Sequence, residues 1–186
     1  MPITTIDELF EHELKDIYGA EQRLLEALDE MAGEAIEKEQ KRVFQQHRKE
    51  TQGQIKRLEK AFKALGLEPE AQPCPGLEGL IKEKKAFMKE RPSEDILDFY
   101  NVRAAQKIER YEITAYEGLI ESAEKMGLED VVDLLTQNLE EEEAALSKLK
   151  ALAAEYEVEE IEDEEEEEAE EAEEEEPVGP GGRGRR

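Results

Sequence analysis

The spacing of apolar residues along the first long segment commits its backbone to a helix. Phe10, Leu14, Ile17, Leu24, Leu28 and Met31 recur in alternating steps of four and three, so they share one helical face. The rhythm skips one slot, between Ile17 and Leu24, and Glu21 fills it. A carboxylate on a face that packs is stripped of water, and an unpaired buried charge costs several kcal/mol. Glu21 is therefore expected to be protonated, paired or bound to a cation.

The same rhythm returns in three further segments. Thr5 and Glu8 form a capping-box pair at the start of the first helix, expected over residues 6–31 and stopping near Gly33. A second helix is expected over 38–65, with rungs at Phe44, Leu58, Phe62 and Leu65, and Gly66 as its C-terminal cap. Residues 67–75 hold three prolines and read as a connector. A short helix follows within 76–90, carrying Leu77, Leu80, Ile81 and Phe87; Pro92 ends it and Ser93 can cap the next. The third long helix is expected over 94–126, with Ala105, Ile108, Glu112, Ala115 and Leu119 on its ladder. The fourth is expected over 129–156, with Val132, Leu135, Leu139, Glu142, Leu146 and Leu149. The fold class is all-α: a four-helix bundle with a long crossover that carries a short extra helix. The bundle is expected over residues 1–157.

Beyond it the periodicity dissolves. Fifteen of residues 159–176 are acidic, a run that cannot bury a face, and residues 158–186 are expected to form a disordered acidic tail. The formal net charge of −26 is divided between residues 151–186, with 17 acids and 3 bases, and the first 150 residues, with 34 acids and 22 bases. Both parts repel phosphate, which argues against nucleic acid as a partner. No apolar run approaches the roughly 20 residues that cross a bilayer, so no membrane partner is expected. The first ten residues lack the basic and apolar regions of a signal peptide, and the single Cys74 excludes an intrachain disulfide. The expected location is the cytoplasm.

Each long helix sets polar groups in mid-ladder. The first gives Glu21, and the second His47 and Glu50, three apart, with Thr51 and Gln54 nearby. The third gives Glu109 and Glu112, again three apart, and the fourth Glu142 with Glu141 beside it. Glu21 precedes Glu50 by 29 residues and Glu112 precedes Glu141 by 29, which reads as a repeat of two hairpins. Di-iron carboxylate bundles take one Glu from each of two helices and a pair three apart from each of the others. This chain supplies that stoichiometry. Oxygen-rich ligands with one imidazole suit iron or manganese, and two divalent cations would cancel the repulsion of converging carboxylates. A lone His or Glu on a helix is commonly a solvated or core residue. The repetition on four helices carries the reading. Tyr18, Tyr111 and Tyr116 lie within a turn of these groups and read as core packing, with a hydrogen bond from one of them to a ligand as the alternative. No motif for nucleotide binding, a Ser or Cys nucleophile or a zinc knuckle is present.

HELKDIYGAEQRLLEAL at 12–28 resembles the YciE/YciF family of ferritin-like stress proteins. So do HRKETQGQIKRLE at 47–59, Cys74 with GLEGLI at 76–81, AAQKIERYEITAYEGLI at 104–120 and LEEEEAALSKL at 139–149. The likeness covers residues 3–152 and leaves out the acidic tail. It implies a ferritin-like bundle, a homodimer, a di-iron site and a link to stress. By position it carries over Glu21, His47, Glu50, Glu109, Glu112 and Glu142 as polar residues of the site. The chain departs from the family at Arg110, where members often have His, at Gln52, where some have His, and at Leu146, where many have an acid. The expected activity is oxidation of Fe²⁺ with O₂ or peroxide at two iron ions, with Mn as an alternative metal. The rival is a non-catalytic dimerisation or metal-buffering module with a polar core.

Overall fold

Thr5 starts the first helix as its spacing predicts. Its Oγ1 accepts from the Glu8 amide at 3.2 Å, and its own amide donates to the Glu8 carboxylate at 3.1 Å. The computed structural model describes residues 2–156, and the acidic tail expected over 158–186 lies outside them. Among the described residues there are five α-helices and no strand: α1 (Ile6–Glu34), α2 (Lys38–Ala64), α3 (Pro75–Phe87), α4 (Glu94–Met126) and α5 (Glu129–Ala154). A single 3₁₀ turn, Met88–Glu90, follows α3. None of these helices is long and apolar enough to cross a membrane.

The four long helices form the bundle. α1 packs on α2 and α4, and α5 packs on the same two, so α1 faces α5 across one diagonal and α2 faces α4 across the other. The connector after α2 passes beside the lower part of α1, where the Gln72 amide donates to the Lys15 carbonyl at 3.2 Å. Gly19 permits that approach, because a Cβ there would lie 2.0 Å from the Gln72 carbonyl oxygen. α3 then carries the chain back toward the other end, where Lys84 and Lys85 pair with Glu34 and Glu30 of α1. A Cβ at Gly76 would lie 2.5 Å from the Tyr111 ring, so α3 starts flush against α4.

Three details differ from the expected pattern. α1 runs on through Gly33 to Glu34. The next turn is fixed from outside: Asp98 of α4 accepts from the Ile36 amide at 3.1 Å and from the Glu37 amide at 3.0 Å, capping α2 from across the bundle. Ser93 makes no side-chain cap bond. The deepest face of α5 includes Val131 and Asn138, whereas Val132 and Leu139 lie at its edge. In α3, Leu77 and Ile81 are buried, Leu80 and Phe87 are part-buried, and Phe87 stacks on Tyr100 with 3.8 Å between ring centroids.

Candidate metal centre

The four-three rhythm that builds the core also delivers the carboxylates, because a Glu in an apolar slot is carried inward with its neighbours. Glu21 on α1, His47 on α2, Glu109 and Glu112 on α4 and Glu142 on α5 are all buried. Atoms of His47, Glu109, Glu112 and Glu142 lie within 4.8 Å of one another. His47 Nε2 is 3.2 Å from Glu109 and 3.6 Å from Glu142, while Nδ1 is 3.6 Å from Glu50. These are ion-pair distances, yet neither ring nitrogen is aligned for a hydrogen bond. Both oxygens of Glu112 and of Glu142 are buried without a hydrogen-bond partner, as are one oxygen each of Glu21, Glu50 and Glu109. Native cores seldom leave so many acceptors unpaired, and carboxylates around one point are a donor set for a cation. The residues present therefore fit a bound divalent metal.

The electrostatics follow from this crowding. Burial, reinforced by the charges of Glu21 and Glu109, raises the Glu112 carboxyl well above its usual range. Burial and the charges of Glu112 and Glu109 do the same to Glu142. Glu21 is pushed up to about 7 by burial, against the opposing bond from Tyr116 and the charge of His47. Burial disfavours charge on His47, but Glu109, Glu50 and Glu112 outweigh it and hold the imidazolium well above its normal pKa. Glu50 moves the other way, to about 2, through its interaction with His47. Without a cation, protons and one imidazolium take up the charge.

A cleft leads to this cluster between α2 and α5. Val43, Phe44, Ala145 and Leu149 line it, with Glu50 and Lys148 toward the surface and His47 and Glu109 at its floor. Lys148 donates to Glu50 at 3.3 Å.

The chain has relatives among known proteins. The family model described as "Domain of unknown function (DUF892)" matches residues 5–164. The chain belongs to this family. The DUF892 chain is 35% identical over 154 residues to protein YciF of Escherichia coli strain K12, spanning 82% of this chain and 93% of that protein. The solved structure of the E. coli stress protein YciF aligns at 35% identity with a TM-score of 0.78, over 82% of this chain and 96% of its own. YcfI from Rhodopseudomonas palustris aligns at 42% identity and TM-score 0.78, over 80% and 94% of the two chains. A Xanthomonas campestris protein at 21% identity and TM-score 0.59 shares the fold. The resemblance read from residues 3–152 is thus family membership.

Within this DUF892 bundle the six residues marked in the sequence do not share one role. His47, Glu109, Glu112 and Glu142 form the group, and Glu21 borders it. Glu50 stands at the rim, its side chain 20% exposed against 1% for Glu109. Glu141, beside Glu142 in sequence, points away and pairs with Arg57. Two polar residues were missed. Asn138 is fully buried one turn before Glu142, and Arg57 reaches it from α2. The signal for Asn138 was its place on the Val131, Leu135, Glu142 face, a slot the sequence reading gave to Leu139. Of the three tyrosines, Tyr116 donates to Glu21; Tyr18 donates to Glu59, and Tyr111 meets Cys74 and Asp16.

Proposed function

We propose that this protein is a metal-binding helical bundle whose buried cluster holds a dinuclear iron centre. Glu21, His47, Glu109, Glu112 and Glu142 would hold the metal, with Glu50 closing the site toward the cleft. The observation that carries the reading is the set of buried, unpartnered carboxylate oxygens gathered around His47. Oxygen donors with a single imidazole favour iron or manganese over structural zinc. Bound iron would supply one-electron redox chemistry toward O₂ or peroxide, so the activity proposed is oxidation of Fe²⁺. The chain's own part is to gather the ligands, to exclude bulk water with Phe44, Leu28 and Leu149, and to leave a narrow cleft beside Glu50.

The test is an anaerobic Fe²⁺ titration of the full chain, followed by exposure to O₂ or peroxide. Two ions bound per chain and rapid appearance of ferric absorbance are expected. One ion without oxidation would reduce the centre to a cation buffer. No uptake would favour the rival reading, a polar core that fixes helix register. The pairing of His47 with Glu109 and Glu142 supports that rival, because it neutralises part of the cluster without metal. We also propose a homodimer, on the family resemblance. Sedimentation of the full chain tests the pairing.

A further inference from the structure

A chain of hydrogen bonds runs from the edge of the bundle to Glu21. The Arg57 guanidinium donates through Nε to Asn138 Oδ1, and through a second nitrogen to Glu141. The Asn138 amide donates to the Tyr116 oxygen at 2.9 Å and to the Gln54 carbonyl at 3.4 Å. The Tyr116 hydroxyl donates to Glu21 Oε1. Asn138, Tyr116 and Glu21 are each 0% exposed, and only Arg57, with its side chain 17% exposed, reaches toward solvent.

The direction of every bond is set by chemistry. A guanidinium has donors only, so Asn138 must turn its carbonyl toward Arg57. Its amide nitrogen then faces Tyr116, whose oxygen accepts. The hydroxyl proton is left for Glu21, and the remaining Glu21 oxygen, Oε2, is buried without a partner. One oxygen is pinned and the other is free for a cation. We propose that Arg57 and Asn138 are positioning residues of the metal centre, acting through Tyr116 to fix how Glu21 meets a bound cation. The inference rests on the metal reading above and adds three residues to it. Outer partners of this kind orient metal ligands and restrict their rotamers.

Two physical pictures of Arg57 predict opposite signs. If Arg57 acted only through space, removing its positive charge would tighten cation binding. If it acts through the chain, removing it frees Asn138 and Tyr116 and weakens binding. Co²⁺ is the probe, read by equilibrium titration of the full chain and by its visible absorption, which reports coordination geometry. Arg57→Gln and Asn138→Leu are each expected to weaken Co²⁺ binding roughly tenfold or more and to alter the absorption bands, while Arg57→Lys restores most of the affinity. Tyr116→Phe is expected to weaken it similarly, and Arg57→Gln added to Tyr116→Phe to produce no further loss. Melting of each metal-free variant is followed in parallel. An Arg57→Gln protein that binds Co²⁺ as tightly as the wild type or tighter overturns the proposal. So does a full additional loss in the Tyr116→Phe background, or a lowered melting point with unchanged affinity, which would make the chain a packing device. A wild-type protein that takes up no Co²⁺ overturns the metal reading and this inference with it.

Discussion

Glu141 and Glu142 are adjacent in sequence and opposite in fate. A helix turns about 100° per residue, so one step separates an ion pair with Arg57 at the edge from a carboxylate buried against His47. The core acids were legible because a charge in an apolar slot breaks a pattern that every neighbour keeps. Asn138 and Arg57 were not, since an uncharged amide in a stripe is a weak anomaly and an arginine in a charged sequence is none. Substitutions at this scale separate ligands from bystanders. Glu112→Gln keeps the shape and mimics the protonated carboxyl. It should stabilise the metal-free bundle near neutral pH, on the order of 1 kcal/mol, because the fold no longer has to take up a proton at this position. It should also weaken Mn²⁺ binding at least tenfold, roughly the lower bound seen even for outer partners of a ligand. Glu121→Gln, at an exposed residue paired with Lys125, should change neither. Melting curves with and without Mn²⁺ check both. An equal metal-induced shift in all three proteins would remove Glu112 from the ligand set.

At the scale of elements, the helices were legible and their joints were not. The four-three rhythm locates all four long helices, and the capping box fixes where α1 begins. The α1–α2 corner depends on Asp98, sixty residues further along, which no local pattern reveals. The same demand explains why the first turns of α4 bury Asp98 and Asn101 where a simple amphipathic helix would bury apolar residues. Asp98→Ala should destabilise the fold by about 1–2 kcal/mol, the usual loss for a helix cap, seen as a lower urea midpoint with an unchanged slope. The crossover was legible as a proline-rich connector and a short helix, but its path was not. That path requires backbone contact at Gly19 and Gly76. Gly76→Ala should force Tyr111 aside and lose about 1–3 kcal/mol, a cost typical of overpacking. Gly79→Ala, less than one turn further along α3, has open space for its Cβ and serves as the control.

The whole molecule should register the cluster in its response to pH. Glu21, Glu112 and Glu142 have raised values in the folded chain, so the fold holds protons that the unfolded chain releases above the usual 4.5. Stability from such groups falls as pH rises, in the case of Glu21 between 4.5 and about 7. His47 acts in the same direction. Its pKa is raised by its carboxylate partners, so its contribution is complete below its normal 6.5 and is lost as pH rises through the folded value. Glu50 has the opposite sign, but its contribution is lost only as pH falls from 4.5 to about 2, below this range. The metal-free protein should therefore melt at progressively lower temperature between about pH 5.5 and 8, each proton held only by the fold contributing about 1.4 kcal/mol per pH unit. Metal replaces those protons, so its binding releases them and strengthens as pH rises. With saturating Mn²⁺ the decline should flatten or reverse, and the gap between metal-bound and metal-free melting curves should widen toward pH 8. Calorimetric scans across this range, with and without Mn²⁺, measure both slopes. A metal-free melting point that rises from pH 5.5 to 8 would mean that the buried carboxyls are not protonated, and that water or a rearranged His47 neutralises the core instead.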